Sequence, residues 1–288
     1  FNITAAPGLS NTANYVIAGD GPVAMNNFHD SSENHQSNPS LFWLSDRFNQ
    51  PGLTNIRLYT MQQYKYTPTI FDMLWYNTNI KGTDFNFQKD FYLRDVEFVS
   101  MRSSWTDNDA TYLSYHAGSN NVNHGHIDAG TFVVDMLGER WAADLGSDDY
   151  ALNGYFGDNR YKYYRLRPEG HNLYVINPDD KNAQELNSFS TVEKLESKTK
   201  GAYSIVDLTP AYEKQAKKAR RGYMLADDRR SVIIRDEITF KEDTNDFYWF
   251  MHTKAEAEVV DNKTAILTIK GKKVKVMLDT DISDYEFY

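Results

Sequence analysis

The pattern of hydrophobic and polar positions divides the chain into two parts, and the change falls near Asp95. In the first part, apolar residues recur at near-helical spacing from Ser40 to Phe48. A second such stretch lies between Gln63 and Asn77, after Pro68. This spacing is typical of amphipathic helices. We therefore predict helices joined by long loops. Because two helices cannot cover their own apolar faces, we expect them to pack on the rest of the chain.

After Asp95, short runs of alternating apolar and polar residues are separated by Gly, Asn and Asp. This period of two is typical of half-buried strands, and many short strands at regular spacing indicate an antiparallel β-sandwich. The fold prediction is a mainly β chain, an antiparallel β-sandwich preceded by a short α-helical segment. The basic run from Lys214 to Arg221 is predicted to be a solvated segment between strands. The predicted strands are Val96 to Arg102, Thr111 to His116, Thr131 to Met136, Trp141 to Asp144, Leu173 to Ile176, Tyr203 to Leu208, Arg221 to Leu225, Ser231 to Ile234, Phe247 to Thr253, Glu256 to Val260, Ala265 to Ile269 and Val274 to Leu278.

Composition excludes several classes of function. The 288 residues contain no cysteine, which excludes disulfides, thiolate metal ligands and a cysteine nucleophile. No run of about 18 apolar residues occurs, so we expect no membrane span. The net charge of −9 argues against nucleic-acid binding. The first residue is Phe1 and no signal-peptide pattern follows it, so we expect a fragment or a processed chain.

The stretch Asn123-His124-Gly125-His126-Ile127-Asp128-Ala129-Gly130 holds two of the seven histidines. In an extended segment, residues i and i+2 share a face, so His124 and His126 are expected to project to the same side. Neighbouring strands could bring Asp144 and His171 to His126. Two imidazoles and a carboxylate suit zinc, and the remaining imidazole could transfer protons near neutral pH. The alternatives are ordinary polar residues near turns, or His124 as a fourth ligand.

The segment between Asp144 and His171 forms a local basic cluster in an acidic chain. Tyr155 to Arg167 contains four cations and five aromatic rings. Arginine can bind a carboxylate or sulfate through two parallel hydrogen bonds, and tyrosine can stack on sugars or donate a proton. The alternative is a solvated loop with some buried rings.

These residues together resemble the signature of the heparinase II/III-like polysaccharide lyases, over roughly residues 20 to 280. The resemblance rests on the histidine motif and on five further groups of residues. They are Asp144-x-Gly146, Tyr163-Tyr164-Arg165, Gly170-His171-Asn172, and the strand-like runs Arg230 to Ile238 and Trp249 to Thr253.

The resemblance implies a C-terminal antiparallel sandwich at 92–288, preceded at 1–91 by the end of an α/α toroid. It implies β-elimination of a uronic-acid-containing polysaccharide, heparin/heparan sulfate-like or alginate-like. His124 matches the catalytic histidine, and His126, Asp144 and His171 match zinc (Zn²⁺) ligands that are usually described as structural.

The tyrosine that completes catalysis in that family comes from the toroid, and no residue in 1–91 matches it. Tyr155 and Tyr164 are therefore the candidate substitutes, and Arg160 and Arg165 are the candidate substrate-binding residues. The expected partner is an acidic polysaccharide, without nucleic acid or membrane. The expected location is periplasmic or secreted, in a bacterium.

Two other functions fit the same residues. In a zinc-dependent hydrolase, the metal would activate water and would need an open position facing a cleft. A metal-stabilised carbohydrate-binding sandwich, or a lyase-derived fragment that has lost its activity, would bind sugar without turnover. An unsaturated product that absorbs ultraviolet light separates a lyase from both alternatives.

Overall fold

The computed structural model describes residues 2–6, 8–80, 87–178, 184–241 and 246–287. Four α-helices lie within these ranges, and all four precede the first strand. They are α1 Thr12–Ala18, α2 Ser40–Arg47, α3 Pro51–Gln63 and α4 Ile70–Trp75. Short 3₁₀ turns lie at Ile3–Ala5, Leu9–Asn11, Arg160–Lys162, Tyr164–Leu166 and Pro168–Gly170.

The helix predicted from Ser40 is confirmed as α2, and the helix predicted after Pro68 is confirmed as α4. Thr69 caps α4, because its hydroxyl accepts from the Asp72 backbone N–H while the Asp72 carboxylate accepts from the Thr69 N–H. Helix α3 was not predicted. Its buried face includes the polar residues Thr54 and Arg57, which hide the apolar spacing.

The strands described in the rest of the chain are short and antiparallel. In chain order they are β1 Asp90–Leu93, β2 Phe98–Arg102, β3 Tyr112–His116, β4 Gly118–Ser119, β5 Phe132–Met136, β6 Glu139–Ala142, β7 Tyr174–Ile176, β8 Phe189–Lys198, β9 Gly201–Asp207, β10 Ala216–Ala226, β11 Ser231–Phe240, β12 Phe247–Trp249, β13 Glu256–Asp261, β14 Thr264–Ile269 and β15 Lys272–Met277. Strands β1, β4 and β8 were not predicted, whereas a strand lies within or overlaps every predicted one.

Two five-stranded antiparallel sheets form the centre of the fold. Their orders are β1-β2-β3-β5-β6 and β11-β10-β9-β8-β4. Apolar side chains from both sheets make one core, in which the Tyr115 ring stacks on the Tyr223 ring with centroids 3.8 Å apart. The predicted mainly β antiparallel sandwich is confirmed. Two smaller sheets, β12-β7 and β13-β14-β15, complete the strand pairing.

The helices cover the outer face of the first sheet. A second apolar cluster joins Ile17, Leu41 and Leu53 from the helices to Tyr112 and Val133 from the sheet. Every residue of β2 and β3 is therefore buried, although a sandwich strand normally exposes alternate residues. The helical segment thus covers its apolar faces with the sandwich, as its sequence requires.

The prediction of a solvated segment from Lys214 to Arg221 is wrong. Most of this segment lies in β10, which pairs with β9 and β11, and Arg221 is fully buried. The Arg221 guanidinium donates to both oxygens of Asp236 at 2.6 and 2.9 Å. The charges of this segment hid the strand in the sequence, because Arg221 can be buried only with a partner. That partner, Asp236, lies 15 residues away.

Strand β1 spans the predicted boundary between residues 91 and 92, and it pairs with β2 along its whole length. The two proposed segments therefore share one sheet. Residues 81–86 of the first segment lie outside the described residues. Within the described part of the chain, no helix is both long and apolar enough to cross a membrane.

Candidate functional site

Three loops meet beside the first sheet and carry the residues that the sequence singled out. The loop around Asp30 contacts the histidine motif, because the Asp30 N–H donates to the carbonyl oxygen of His124 at 3.2 Å. The motif contacts the loop before β7, because the Ile127 N–H donates to the Leu166 oxygen at 3.0 Å. Contacts between residues distant in sequence therefore build the site.

Amide side chains hold the motif loop in its shape. The Asn120 side-chain oxygen accepts from the backbone N–H groups of Asp128 and Ala129 at 3.2 and 3.1 Å. The Gln184 side-chain oxygen accepts from the Ala129 N–H, and the Gln184 side-chain nitrogen donates to the Ala129 carbonyl oxygen. Gly130 then reverses the chain at a φ of 89°, a left-handed conformation that glycine adopts without a steric penalty.

His124 and His126 do not lie on one extended face, so that prediction is wrong. His124 has a φ of 60°, which turns the chain and separates the two rings. The His124 side chain is 46% exposed, whereas the His126 side chain is fully buried. The two rings nevertheless reach the same carboxylate. His124 Nδ1 lies 3.0 Å from Asp30 Oδ2, and His126 Nε2 lies 2.9 Å from Asp30 Oδ1.

Asp30 is the centre of a buried hydrogen-bond network. Besides the two histidines, it accepts from the Tyr155 hydroxyl at 2.5 Å and from the Arg160 guanidinium at 3.0 Å. Burial of Asp30 raises its pKa, but the hydrogen bonds from Tyr155, His126, His124 and Arg160 outweigh burial and lower the pKa to about 2. Asp30 is therefore ionised at neutral pH and holds both histidines in position.

His126 and His171 each present one buried nitrogen without a hydrogen-bond partner in the described part of the chain. These atoms are His126 Nδ1 and His171 Nε2, and the opposite ring nitrogens contact Asp30 and Asp144. Both oxygens of the fully buried Asp128 also lack a hydrogen-bond partner there. Ligand atoms of His126, Asp128 and His171 lie within 4.8 Å of one another. Unpartnered buried ligand atoms of this kind fit a divalent metal.

Asp144 lies next to this group in a supporting position. Its Oδ2 accepts from His171 Nδ1 at 2.8 Å, and its Oδ1 accepts from the Gly146 N–H at 2.9 Å. A carboxylate behind a ligating imidazole orients the ring and fixes its tautomer. The structure thus brings together the predicted ligands His126, Asp144 and His171. It adds Asp128 as a second carboxylate, whose oxygens have no hydrogen-bond partner among the residues that the structure describes.

The other predicted site residues differ in exposure and in partners. Tyr155 is buried, and its hydroxyl donates to Asp30. Burial is the larger cause and this hydrogen bond the second cause that raise the pKa of Tyr155 to about 12. Arg160 is buried and also donates to the Gly125 oxygen at 2.9 Å. Arg165 donates to two loop oxygens, of Leu145 and Ser147. The side chains of Tyr155, Arg160 and Arg165 therefore all donate hydrogen bonds that connect the loops of the site.

Tyr164 is half-exposed, and its hydroxyl lies 3.0 Å from His252 Nε2. Because the side chain of Tyr164 remains accessible, it can contact a ligand in the way that the sequence predicted. His252 is placed nearby through its backbone N–H, which donates to the Asn172 side-chain oxygen at 2.6 Å.

Four site residues were not predicted. His29 and Asp30 lie in a polar loop, where the only signal was their adjacent imidazole and carboxylate. His116 lies at the end of β3, and Asp128 is part of the motif that was quoted without a role. Partners about 90 residues apart give no local signal in the sequence.

Comparison with known families and structures identifies the group of proteins to which the chain is related. The family model described as "Heparinase II/III-like, C-terminal" matches residues 89–280. A search of curated proteins found no match.

Several solved structures share the fold. They include heparan sulfate lyase HepC from Pedobacter heparinus (TM-score 0.65, 16% identity, 94% of this chain and 39% of that chain). Others are a heparinase III gene product (TM-score 0.63, 18% identity, 92% and 42%) and a further heparinase III (TM-score 0.60, 15% identity, 93% and 44%). The chain spans about two fifths of the length of these structures. With the family model matching from β1 to beyond β15, the chain belongs to the heparinase II/III-like family.

Proposed function

We propose that this chain forms the C-terminal part of a lyase that cleaves an acidic, uronate-containing polysaccharide by β-elimination. Membership of the heparinase II/III-like family supports a polysaccharide lyase. The names of the similar solved structures favour a heparin- or heparan-sulfate-like glycosaminoglycan over an alginate-like one. The polymer is too large to enter a cell, which favours a periplasmic or secreted protein.

The single observation that carries the proposal is the environment of His124. Its Nδ1 is held by the ionised Asp30, so the other ring nitrogen is the one available to a ligand at the exposed side of the loop. A carboxylate that fixes the tautomer of an imidazole in this way prepares it for proton transfer. In β-elimination, this nitrogen would take the proton alpha to the uronate carboxylate or protonate the departing glycosidic oxygen.

The metal is assigned a structural role in this proposal. The residues that would hold zinc are His126 and His171, with a carboxylate from the buried pair Asp128 and Asp144. Bound zinc would supply fixed positive charge that draws these loops together. His126 would then anchor the motif two residues from His124, and His124 itself would stay outside the ligand set.

Residues 1–91 are proposed to be the end of a helical toroid. Helix α4 supports this assignment, because Ile70, Met73 and Leu74 are each at least two-thirds exposed. Apolar side chains that project from a short helix are characteristic of a surface that packs against further chain. We further propose that the acid–base partner of His124 lies in the part of the helical toroid that packs against α4. Within this chain, Tyr164 is the accessible candidate for that role.

Replacement of His124 by alanine tests the proposal. We expect unchanged zinc content and melting temperature, and a loss of activity of roughly 10²–10⁴-fold, as is typical when a general acid or base is removed. The measurement is the ultraviolet absorbance of unsaturated oligosaccharides released from heparan sulfate. It is run on this chain and on the longest protein that its gene encodes.

Asp158→Ala is the matched control, because Asp158 is an exposed residue of the neighbouring loop. Full activity in the His124→Ala enzyme would remove His124 from the mechanism. New reducing ends without ultraviolet absorbance would instead identify a hydrolase, and binding without turnover would identify a carbohydrate-binding module.

A further inference from the structure

A second group of metal-ligand atoms lies beside the predicted zinc site and shares Asp128 with it. The group consists of His29, His116 and Asp128, whose ligand atoms all lie within 4.8 Å of one another. The rings of His29 and His116 lie 4.4 Å apart between centroids. His29 and His116 belong to neither the motif nor the ligand set that the sequence predicted.

The contacts of His116 place its Nε2 directly against Asp128. Its Nδ1 lies 3.0 Å from the Ala117 carbonyl oxygen, which can only accept, so Nδ1 carries a proton. In a neutral imidazole, Nε2 then presents a lone pair. That lone pair lies 3.1 Å from Asp128 Oδ2, and neither atom has hydrogen-bond geometry to any partner in the described residues. A proton on Nε2 or a metal cation between the two atoms would stabilise this buried contact, and the metal is the alternative that zinc titration tests.

His29 brings a second imidazole nitrogen to the same carboxylate, and this nitrogen would exchange a backbone hydrogen bond for a bound ion. Its Nδ1 accepts from the backbone N–H of His126 at 3.2 Å, so this nitrogen is not protonated. It also lies 3.4 Å from Asp128 Oδ2. Two imidazole nitrogens therefore face one oxygen of a fully buried carboxylate.

The separations match those of a metal site. Bonds of 2.0–2.1 Å in a tetrahedral zinc site place neighbouring ligand atoms about 3.4 Å apart. The observed distances to Asp128 Oδ2 are 3.1 Å from His116 and 3.4 Å from His29. The N–H of His116 that donates to a backbone carbonyl is also the usual support for a ligating imidazole.

We propose that His29, His116 and Asp128 bind a second divalent metal ion of the zinc class, next to the ion held by His126 and His171. Asp128 belongs to both groups of ligand atoms, and a ligand shared in this way would account for the lack of a hydrogen-bond partner for either of its oxygens among the described residues. Three protein ligands leave a fourth coordination position. It opens on the side of His29, whose side chain is 27% exposed while those of His116 and Asp128 are almost fully buried.

Titration of the metal-free protein with zinc ions alone tests this proposal, with bound metal measured by elemental analysis after desalting. We expect two zinc ions per chain in the wild type and one in His29→Ala. We also expect one in His126→Ala, which retains the second site. His116→Gln is a further variant, but His116 is buried in β3 and its replacement could prevent folding. His29, in a loop and partly exposed, keeps the test decisive.

The outcomes separate the two sites. If the wild type binds one ion, and that ion is retained in His29→Ala but lost in His126→Ala, the second site does not exist. In that case His116 is simply a protonated imidazole paired with Asp128. If one ion is lost in His29→Ala but retained in His126→Ala, the second site is supported and the predicted zinc site fails. Binding of no zinc overturns both sites.

Discussion

Asp30 shows how a single carboxylate organises several groups with different roles. It contacts His124, which is exposed, and His126, which is buried, together with Tyr155 and Arg160. Its side chain is fully buried, and an unpaired charge there would be costly. The four partners are therefore needed for Asp30 to be ionised, and the ionised Asp30 is needed to position His124.

The first prediction concerns the pH dependence of stability in Asp30→Asn, measured on metal-free protein. The pKa of Asp30 falls from 3.8 to about 2 on folding, so the charged form stabilises the folded state above the ordinary pKa. This contribution, about 2 kcal/mol from the shift, disappears as pH falls through about 4 to 2. We expect Asp30→Asn to be less stable at pH 7, and the difference from wild type to shrink toward pH 2.

Urea unfolding at several pH values measures this difference, and Asp158→Asn in the neighbouring loop is the control, because Asp158 is exposed. A constant difference between wild type and Asp30→Asn from pH 7 to pH 2 would show that Asp30 does not act through its charge.

The second prediction distinguishes the two carboxylates next to His171. Neither oxygen of Asp128 has a hydrogen-bond partner in the described part of the chain, whereas each oxygen of Asp144 accepts at least one hydrogen bond. We therefore expect Asp128→Asn to lose stoichiometric zinc. Asp144→Asn should retain zinc with an affinity about 10–100-fold lower, as is typical when a group that supports a ligand is replaced.

Competition with a zinc chelator measures both affinities, and circular dichroism verifies that each variant is folded. Complete loss of zinc in Asp144→Asn, with normal binding in Asp128→Asn, would restore the ligand set that the sequence predicted.

Among the elements, β10 connects the second sheet to the site. Arg221 in this strand donates to the carbonyl oxygens of Gly130 and Asn172 at 3.1 and 2.9 Å, besides its pair with Asp236. Burial lowers the pKa of Arg221, but the neighbouring Asp236 carboxylate raises this pKa by more than burial lowers it. The guanidinium therefore stays charged. A strand on the second sheet therefore holds the last residue of the histidine motif and the residue after His171.

The third prediction is that Arg221→Met destabilises the protein by about 3–5 kcal/mol, because it leaves the Asp236 carboxylate without its cation. The control is Arg235→Met in β11, whose ion pair with Glu237 is exposed and contributes about 0–1 kcal/mol. Chemical unfolding of both variants provides the comparison. Equal stability of the two variants would mean that the buried pair adds nothing.

At the scale of the whole molecule, the helices and the sandwich form one packed unit. The outer face of the first sheet carries Phe98, Tyr112 and Val133, and helices α1 to α3 cover these side chains. Strand β1 joins the two parts further, because Asp90 pairs with the buried Arg229 in the turn between β10 and β11. The boundary expected from the change of hydrophobic pattern therefore falls inside a sheet.

The fourth prediction follows from this packing. A chain limited to residues 92–288 loses half of β1, Asp90 and Phe91, and exposes the apolar face of the first sheet. Each large apolar side chain uncovered costs about 1.5–3 kcal/mol, and each kcal/mol lowers the melting temperature by roughly 2–4 °C. We expect an insoluble protein, or one that melts at least about 10 °C below the 288-residue chain.

Size-exclusion chromatography and thermal melting, with the 288-residue chain as reference, test this expectation. A soluble monomer of 92–288 that melts within a few degrees of the longer chain would show that the sandwich is an independent domain.

The sequence by itself determined the fold class and the type of chemistry. Alternation of apolar residues predicted the strands, because a half-buried strand has to alternate. The histidine motif, Asp144 and His171 indicated a metal site, because imidazole and carboxylate are ligands that zinc prefers.

Tertiary structure decided which groups meet and which are accessible. It placed Asp30 and His29 beside a motif more than 90 residues away, and it buried Arg160 while leaving His124 exposed. Such contacts depend on loops that meet only after both sheets have packed, so no local pattern contains them. The same packing turned a charged run into strand β10, which pairs on both sides, because Asp236 neutralises Arg221 only in the folded protein.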